Sequence, residues 1–278
     1  MTYIFNEVTL LITNYNRSLS LENLLKTLQK INCQFSDIIV ADDGSESRHL
    51  DRIVRLQQSY SFRLLPSPYN KGAGHNMNKG QRAVKTAYTL FVEDDFEPGP
   101  QFPMILKEAL TELRNRPDFD IVRFYAYFRY PYLKPYSANF SEMFFPSLAT
   151  DYRKVHYYSD HPHLRRTSFP AKFGPFAEGF APDQTEYRMC ISFIQQKGKG
   201  LFYNDYKNLF THNNSLEGST ITRLGWKNSR QPLIKFARTV YRQMKHNYDI
   251  LFMKRPAPIS AERNKSAVMA EDRITANV

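Results

Sequence analysis

The stretch from Leu90 to Pro98 reads LFVEDDFEP, so a short apolar run ends in three consecutive acids, Glu93, Asp94 and Asp95. Adjacent carboxylates repel one another, and a divalent cation offsets their charge because hard cations take carboxylate oxygens as ligands. A solvated acidic turn is the alternative interpretation. The stretch alone leaves both interpretations open.

A second apolar run ends in the same way. Residues 38–45 read IIVADDGS, which places Asp42 and Asp43 directly after a predicted strand. If the two strands are parallel, their C-terminal ends lie at one edge of the sheet, where open α/β sheets bind ligands. The two acidic strand ends therefore predict one shared polar site.

Strands and helices alternate along the first half of the chain. Strands are predicted at 8–12, 37–42, 62–65 and 89–92. Helices are predicted from a cap at Ser18 or Ser20 to residue 31, after residue 45, and through 83–87 behind a Gly/Asn-rich loop at 70–80. This order predicts an α/β fold, in which a mostly parallel sheet is flanked by helices.

The second half of the chain is less periodic. A helix through Leu106 and Leu113, a strand at 120–128, a helix at 182–196 and a strand at 201–203 are predicted, whereas 130–180 reads as a loop-rich, substrate-facing region. These patterns divide the chain into a first half at 1–110, an acceptor-binding and catalytic half of the same domain at 111–220, and a basic C-terminal segment at 221–278.

Composition limits the classes of protein to which the chain can belong. With 278 residues, of which 42% are hydrophobic, it can bury a core and is not a disordered chain. Its net charge of +11 indicates an anionic partner, such as a nucleotide, nucleic acid or membrane surface. Two distant cysteines suggest neither a zinc site nor a disulfide framework, and no stretch has the ~20 apolar residues of a membrane span. We therefore expect a cytoplasmic protein, either soluble or peripheral on the inner face of the membrane.

The C-terminal segment predicts an amphipathic basic helix. Apolar residues from Leu233 to Leu251 recur at helical spacing, and residues 221–255 hold nine Lys and Arg against one acid, Asp249. A terminal helix with a solvated basic face is one interpretation. Docking on anionic lipid, with Trp226, Phe236 and Phe252 as apolar anchors, is the other.

Four motifs occur in the order and spacing of family 2 glycosyltransferases with the GT-A (Rossmann-like) fold, which the first 110 residues resemble closely and the rest more loosely. They are T-x-Y-N-R at 13–17, DDGS at 42–45, the paired N-x-G of 70–80, and EDD at 93–95. Each is weak alone, but four in order at predicted element ends form a specific signal.

The resemblance assigns roles to residues of the first half. It implies that Thr13 and Tyr15 lie against the nucleotide base, that Asp43 accepts a hydrogen bond from the base, and that Asp94 holds the ribose. Further donor contacts are expected from the loop residues Lys71, His75 and Asn78 and from the cations Arg17 and Lys79, because Met77 stands where relatives often have arginine.

The same resemblance implies a metal site. It assigns Asp95 to Mn²⁺ or Mg²⁺ bridging the diphosphate, and it makes His212 a further ligand, since many relatives place a histidine at this point. An imidazole beside a carboxylate suits Mn²⁺.

The general base is expected in the segment 176–188, FAEGFAPDQTEYR. Family members carry an acidic pair at the start of a helix here, but Gln184 and Thr185 separate Asp183 from Glu186 in this chain. We favour Glu186 as the base, with Asp183 second. A capping box, with Asp183 as N-cap and Glu186 three residues on, is the structural alternative.

The function implied is transfer of one sugar, with inversion, from a nucleoside diphosphate sugar, most simply a UDP-sugar, to a saccharide or lipid-linked saccharide in surface polysaccharide biosynthesis. The Q-x-x-R-W signature of processive synthases is absent. A catalytically inactive nucleotide-sugar or glycan-binding module is the alternative, motivated by the broken acidic pair. Nucleic-acid binding would leave the clustered acids unexplained, so no nucleic-acid partner is expected.

Overall fold

A computed structural model of the chain describes residues 2–213 and 232–254, with side chains from residue 239 onward in the second stretch. The strands are β1 Tyr3–Asn14, β2 Cys33–Asp42, β3 Arg63–Leu65, β4 Tyr88–Glu93, β5 Phe96–Pro98, β6 Ile121–Arg123, β7 Leu133–Pro135, β8 Phe140–Met143, β9 His163–Arg166, β10 Gly200–Tyr203 and β11 Phe210–His212. The helices are α1 Ser18–Lys30, α2 Ser47–Leu56, α3 Ala73–Ala83, α4 Phe102–Asn115, α5 Phe169–Phe173, α6 Pro182–Gln195 and α7 Pro232–Phe252, with a 3₁₀ helix at Tyr152–Val155.

Nine strands form one mixed sheet in the order β3-β2-β1-β4-β9-β6-β10-β8-β7. Strands β3, β2, β1 and β4 are parallel neighbours, whereas β9 lies antiparallel between β4 and β6, and β8 lies antiparallel to β10. Strands β1, β2, β4, β6 and β10 therefore all end at one edge of the sheet. The predicted α/β class, with a central sheet flanked by helices, is confirmed.

Helices cover both faces of the sheet because the strands are apolar on both sides. In β1, Leu10 and Ile12 pack with α1 and α4 in one core cluster, and Leu11 points into a second cluster that includes Met77 of α3 and Phe193 of α6. This alternation is the two-residue period of a strand. Both layers fix the sheet edge where the strands end.

Helix α3 corrects the prediction for 70–87. The helix occupies Ala73–Ala83, inside the stretch expected to be a loop, and the chain is extended again at Val84. The glycines serve close packing: a Cβ on Gly80 would lie 2.4 Å from Leu11 Cδ1, and one on Gly74 would lie 2.2 Å from the carbonyl oxygen of Ala177. Glycine thus allows the helix to approach the sheet closely.

The segment 130–180 is loop-rich, as predicted, with only the short elements β7, β8, β9 and α5 and a 3₁₀ helix between its loops. Two further predictions are wrong in detail. The strand expected at 120–128 is limited to β6, because the chain leaves the sheet after Arg123. Helix α1 has Arg17 as its N-cap residue without a side-chain cap hydrogen bond, so neither Ser18 nor Ser20 caps it.

Candidate active site

The acidic strand ends converge as the sequence predicts. Strand β1 lies between β2 and β4, and its register pairs Asn14 with Asp42 and Thr13 with Glu93. The residues that follow these strands therefore share one edge of the sheet. This is the edge at which open α/β sheets bind ligands.

Arg17 offsets the charge of the acidic turn after β4. Its Nη1 donates to Asp95 Oδ2 at 3.1 Å, and its Nε lies 3.3 Å from Asp94 Oδ1. All three side chains are buried, at 9%, 7% and 11% exposure for Arg17, Asp94 and Asp95. Burial strengthens the pairing, because water screens the charges less.

His212 is brought to the same carboxylate by the small sheet of β5 and β11. The register pairs His212 with Phe96, whose ring stacks on the imidazole at 4.7 Å between centroids. As a result, His212 Nε2 lies 3.0 Å from Asp95 Oδ2, and the backbone N–H of Asn213 donates to the Asp95 carbonyl at 2.8 Å. The two residues assigned to the metal are thus adjacent.

The donor set at Asp95 fits a divalent ion in one respect. Asp95 Oδ1 is buried and has no hydrogen-bond partner, which is unusual for a carboxylate oxygen. Within residues 2–213 and 232–254, however, His, Cys, Asp and Glu side chains nowhere gather in a group of three or more that could hold a metal. Asp95 and His212 therefore supply two ligands, and the remaining ones would come from elsewhere.

Asp43 is hydrogen-bonded to the loop that precedes α3. Its two carboxylate oxygens accept from the backbone N–H groups of Lys71 at 3.0 Å and Gly72 at 2.8 Å, where Gly72 has a φ of 92°. Lys71 is exposed beside this clamp. Thr13, at the end of β1, and Tyr15, in the following turn, are both half-buried at the same edge.

Helix α3 holds its polar side chains in different ways. Asn78 donates from Nδ2 to the carbonyl of Phe176 and to Glu178 Oε1, so it joins α3 to the segment before α6. Lys79 directs its ammonium to the carbonyl of Asp42 and to Ser67 Oγ, both at 2.7 Å. Burial lowers the pKa of His75 from its usual value, so the ring is neutral near pH 7, and its Nδ1 has no hydrogen-bond partner.

The two candidates for the base lie in different environments. Asp183 is exposed in the first turn of α6, where it accepts only from the next backbone N–H, of Gln184. Glu186 is half-buried and accepts from the backbone N–H of Asp160 at 3.3 Å. The N-cap residue of α6 is Ala181, so the capping-box interpretation of the acidic pair is wrong.

Glu186 belongs to a group of carboxyls that sequence reasoning did not assemble. Burial, together with the negative charge of Glu186, raises the pKa of Asp160 to about 8. Burial likewise raises the pKa of Glu93 well above its usual range, and the carboxylates of Asp95 and Asp160 add to the effect. Asp160 is therefore largely protonated near pH 7, whereas for Glu93 burial disfavours the charged form.

Aromatic rings form a second feature missed from the sequence. Tyr125 and Tyr127 follow β6, and the ring of Tyr127 contacts His161 at 4.5 Å and His212 at 5.6 Å between centroids. Tyr127 is 54% exposed, so part of its ring faces solvent beside the Asp95 site. The pattern Tyr125-x-Tyr127, near the end of the strand predicted at 120–128, was the available signal.

Among the residues described, no helix combines the length and apolar character needed to cross a bilayer.

Comparisons with known proteins agree with this architecture. A glycosyltransferase of Haemophilus influenzae whose function is uncharacterised is 31% identical over 90 residues, which is 32% of this chain and 29% of that protein. The chain thus spans less than a third of the length of this curated relative.

Solved structures resemble the chain over more of its length. Staphylococcus aureus TarS in complex with UDP-GlcNAc superposes with a TM-score of 0.56 at 15% identity, covering 86% of this chain and 66% of TarS. Glucosyl-3-phosphoglycerate synthase of Mycobacterium tuberculosis, with Mn²⁺, UDP and phosphoglyceric acid, gives 0.51 at 14% identity, covering 87% of this chain and 78% of that one. At these identities the likeness shows the fold.

The sequence profile of Glycosyl transferase family 2 matches residues 9–174, which run from the second half of β1 through β9 and include the acidic turn at Asp94 and Asp95. More than half of the chain lies in this match. The chain belongs to glycosyl transferase family 2, and its sheet and flanking helices are those of a GT-A glycosyltransferase.

Proposed function

We propose that the protein is a metal-dependent, inverting glycosyltransferase that moves one sugar from a UDP-sugar to a hydroxyl of a saccharide or lipid-linked saccharide, in surface glycan biosynthesis. The observation that carries the proposal is a cluster at the carboxyl edge of the sheet, in which the half-buried His212 meets the buried side chains of Arg17, Asp94 and Asp95. Such a cluster of charge in a family 2 glycosyltransferase fits a site for a charged donor.

The donor is expected to lie across the ends of β1, β2 and β4. Thr13 and Tyr15 would contact the base, Asp43 would accept from it through a lone pair not used by the loop, and Asp94 would hold the ribose. We expect Arg17, Lys71 and His75 to contact the diphosphate. The choice of UDP rests on the two solved relatives, whose structures contain UDP-GlcNAc and UDP.

Asp95 and His212 are the residues that would hold Mn²⁺ or Mg²⁺, with the remaining ligands supplied by diphosphate oxygens and water. The unpartnered Oδ1 of Asp95 supports this assignment, as does the Mn²⁺ in the mycobacterial relative. A divalent ion bound there would offset the negative charge that builds on the departing diphosphate. Asp95 Oδ1 is buried, so the side chains around it have to move first.

Glu186 is the base that we assign. It is half-buried near Asp160 and Glu93, so its carboxylate works in a site that excludes part of the water. In the reaction, Glu186 accepts the proton of the acceptor hydroxyl while the oxygen attacks the anomeric carbon opposite to the departing UDP. This single displacement inverts the configuration at that carbon, and the proton ends on Glu186.

Tyr127 supports a saccharide as the acceptor. Its ring is partly exposed next to His212, and an aromatic face gives the apolar C–H side of a sugar ring a surface on which to pack. Tyr125 and His161 back this ring and fix its orientation. The acceptor sugar would then lie between Tyr127 and Glu186.

The test is turnover of a UDP-sugar panel by the full chain with Mn²⁺, with and without saccharide acceptors, and with EDTA as the metal-free control. We expect UDP release to require both Mn²⁺ and Asp95, so the Asp95→Asn variant should release no UDP. The matched control is Asp118→Asn, which removes a half-exposed acid that pairs with Arg116. This control should release UDP like the parent chain. Tight UDP binding without transfer or hydrolysis across the panel would instead favour the inactive binding module.

A further inference from the structure

Helix α7 packs onto the rest of the protein through a mixed inner side, on which Ile250 and Met253 contact the second core cluster and polar side chains make specific hydrogen bonds. Gln243 Nε2 donates to the carbonyl of Ala149 at 2.9 Å, and Asp249 accepts from Tyr187 OH at 2.6 Å. Between them, the ring of His246 lies against Tyr187 at 5.3 Å between centroids. The docked side of α7 therefore includes polar side chains that would otherwise face solvent, next to the apolar Ile250 and Met253.

The opposite side of α7 is apolar and exposed. Met244 and Tyr248 each lie two positions from His246, which places them about 160° away around the helix. Met244 is 68% exposed and Leu251 is 72% exposed. The exposed apolar side chains of this outer face are Val240, Tyr241, Met244, Tyr248, Leu251 and Phe252.

A loop beside α7 presents one more apolar side chain. Leu148 is 95% exposed, and its neighbour Ala149 is the residue bonded to Gln243 of α7. The fully buried Lys154 fixes the loop, because its ammonium donates to the carbonyls of Ser147 and Ala149 at 2.8 and 2.9 Å. The loop that exposes Leu148 is therefore fixed by hydrogen bonds to Lys154.

The basic charge of α7 and its flanking residues indicates which kind of partner the outer face can bind. Arg242, Lys245 and Lys254 are exposed on the described part of the segment, and residues 221–255 carry nine Lys and Arg against one acid. A second copy of the chain would bring two such basic segments together, which costs free energy, whereas an anionic surface attracts them. Aromatic and aliphatic side chains next to lysine and arginine are typical of helices that lie in the lipid interface.

We propose that the outer face of α7, together with Leu148, docks on an anionic lipid surface. Helix α7 then lies parallel to the membrane, with its outer-face side chains at the headgroup boundary and its inner side on the protein. The hydrogen bond from Tyr187 to Asp249 joins α7 to α6, the helix that carries Glu186. The docked face thus belongs to a helix that is hydrogen-bonded to the helix of the assigned base. The proposal does not depend on sugar transfer.

Vesicle co-sedimentation of the full chain tests the proposal. Vesicles of phosphatidylcholine alone are compared with vesicles that also contain about 30% phosphatidylglycerol. We expect binding to the anionic vesicles at least about tenfold tighter than to the neutral ones, weakening as salt is raised toward ~0.5 M. Met244→Glu combined with Leu251→Glu should weaken it at least about tenfold, because two carboxylates then enter the interface.

The matched control is Met104→Glu combined with Val54→Glu. These residues are also exposed on helices, at 56% and 53%, but lie on α4 and α2. The control should bind anionic vesicles like the parent chain, and unchanged melting temperatures verify that both variants are folded. Equal binding by the α7 variant, or no preference of the parent for anionic vesicles, overturns the proposal.

A different occupant gives a different result. If light scattering shows a dimer of the parent chain that Met244→Glu with Leu251→Glu converts to a monomer, the outer face is a contact between copies, and the lipid proposal is wrong. Turnover of UDP-sugar in solution is measured in parallel. Its absence would count against the proposed enzyme and not against lipid docking.

Discussion

Replacing Arg17 with methionine tests how the acidic turn is stabilised. Methionine keeps an unbranched side chain of similar length and removes the guanidinium that pairs with Asp94 and Asp95. All three side chains are about nine-tenths buried, so the substitution leaves two neighbouring carboxylates without their counter-charge. Breaking a buried pair in this way costs about 3–5 kcal/mol of unfolding free energy.

The loss is large enough to measure by thermal unfolding. For a chain of this size, about 1 kcal/mol corresponds to about 2–4 °C in Tm, so Arg17→Met should melt about 6–20 °C below the parent. A cation that binds the vacated carboxylates should restore stability. Mn²⁺ at about one hundred times its Kd should raise the free energy of unfolding of the variant by about 2.7 kcal/mol. In the parent, Mn²⁺ must compete with the guanidinium, so its effect should be smaller.

Arg52→Met is the matched control, because Arg52 pairs with Glu22 where both side chains are more than a third exposed. Such a pair contributes about 0–1 kcal/mol, and Mn²⁺ should not affect the variant differently from the parent. The reasoning is refuted if Arg17→Met melts within about 2 °C of the parent, or if Mn²⁺ raises its Tm no more than it raises that of the parent.

Three further predictions concern the base, the carboxyl group beside it and the packing of α3. Glu186→Gln should bind UDP like the parent and lose about 10²–10⁴-fold in transfer rate, while Asp183→Asn stays within a few-fold; the reverse result would make Asp183 the base. Asp160 has a pKa raised from 3.8 to about 8, so its contribution to stability is lost as pH rises through that range. The Tm of Asp160→Asn should therefore fall less than that of the parent on raising the pH, and parallel Tm curves would contradict the assignment. Gly80→Ala places a Cβ 2.4 Å from Leu11 Cδ1 and should lower the free energy of unfolding, measured with urea, by about 1–3 kcal/mol. An unchanged urea midpoint would show that α3 does not pack this closely against β1.

The site follows from the sequence because its main residues end elements that the sequence marks clearly. The apolar run before Asp42 and the run before Glu93 each predict a buried strand, and parallel neighbours must end at the same edge. That geometry brings Asp43, Asp94 and Asp95 together without knowledge of any tertiary contact. The resemblance then supplies the roles, which remain predictions.

The missed features depend on contacts between distant segments. Glycine and asparagine normally indicate a loop, and nothing local shows that Gly80 faces Leu11 across a helix–sheet contact. Asp160 meets Glu186 only because β9 runs antiparallel beside β4 and starts at the edge where β4 ends. Short strands such as β6 and β9 contain too few residues for a two-residue period to be detected.

The orientation of α7 shows a limit of amphipathic patterns. The sequence predicts an apolar and a basic side for the helix, but it does not state which residues find partners. Gln243 and Asp249 have specific acceptors and donors on the protein, and a satisfied polar contact allows polar side chains to be docked beside Ile250 and Met253. Met244, Tyr248 and Leu251 then remain exposed on the outside.

The three acids after β4 are accommodated by two different means, and the difference bears on how the donor enters. Burial raises the pKa of Glu93, which disfavours its charged form, while Asp94 and Asp95 lie next to the guanidinium of Arg17. We expect a metal-bound donor to replace this internal cation, because the orphan Oδ1 of Asp95 is buried while Arg17 holds Oδ2. The released guanidinium could then pair with the diphosphate, as arginine does well with phosphate oxygens. Donor binding would thus exchange one ion pair for another rather than bury a new charge. A structure with UDP and Mn²⁺ in which Arg17 keeps its 3.1 Å contact with Asp95 would contradict this exchange.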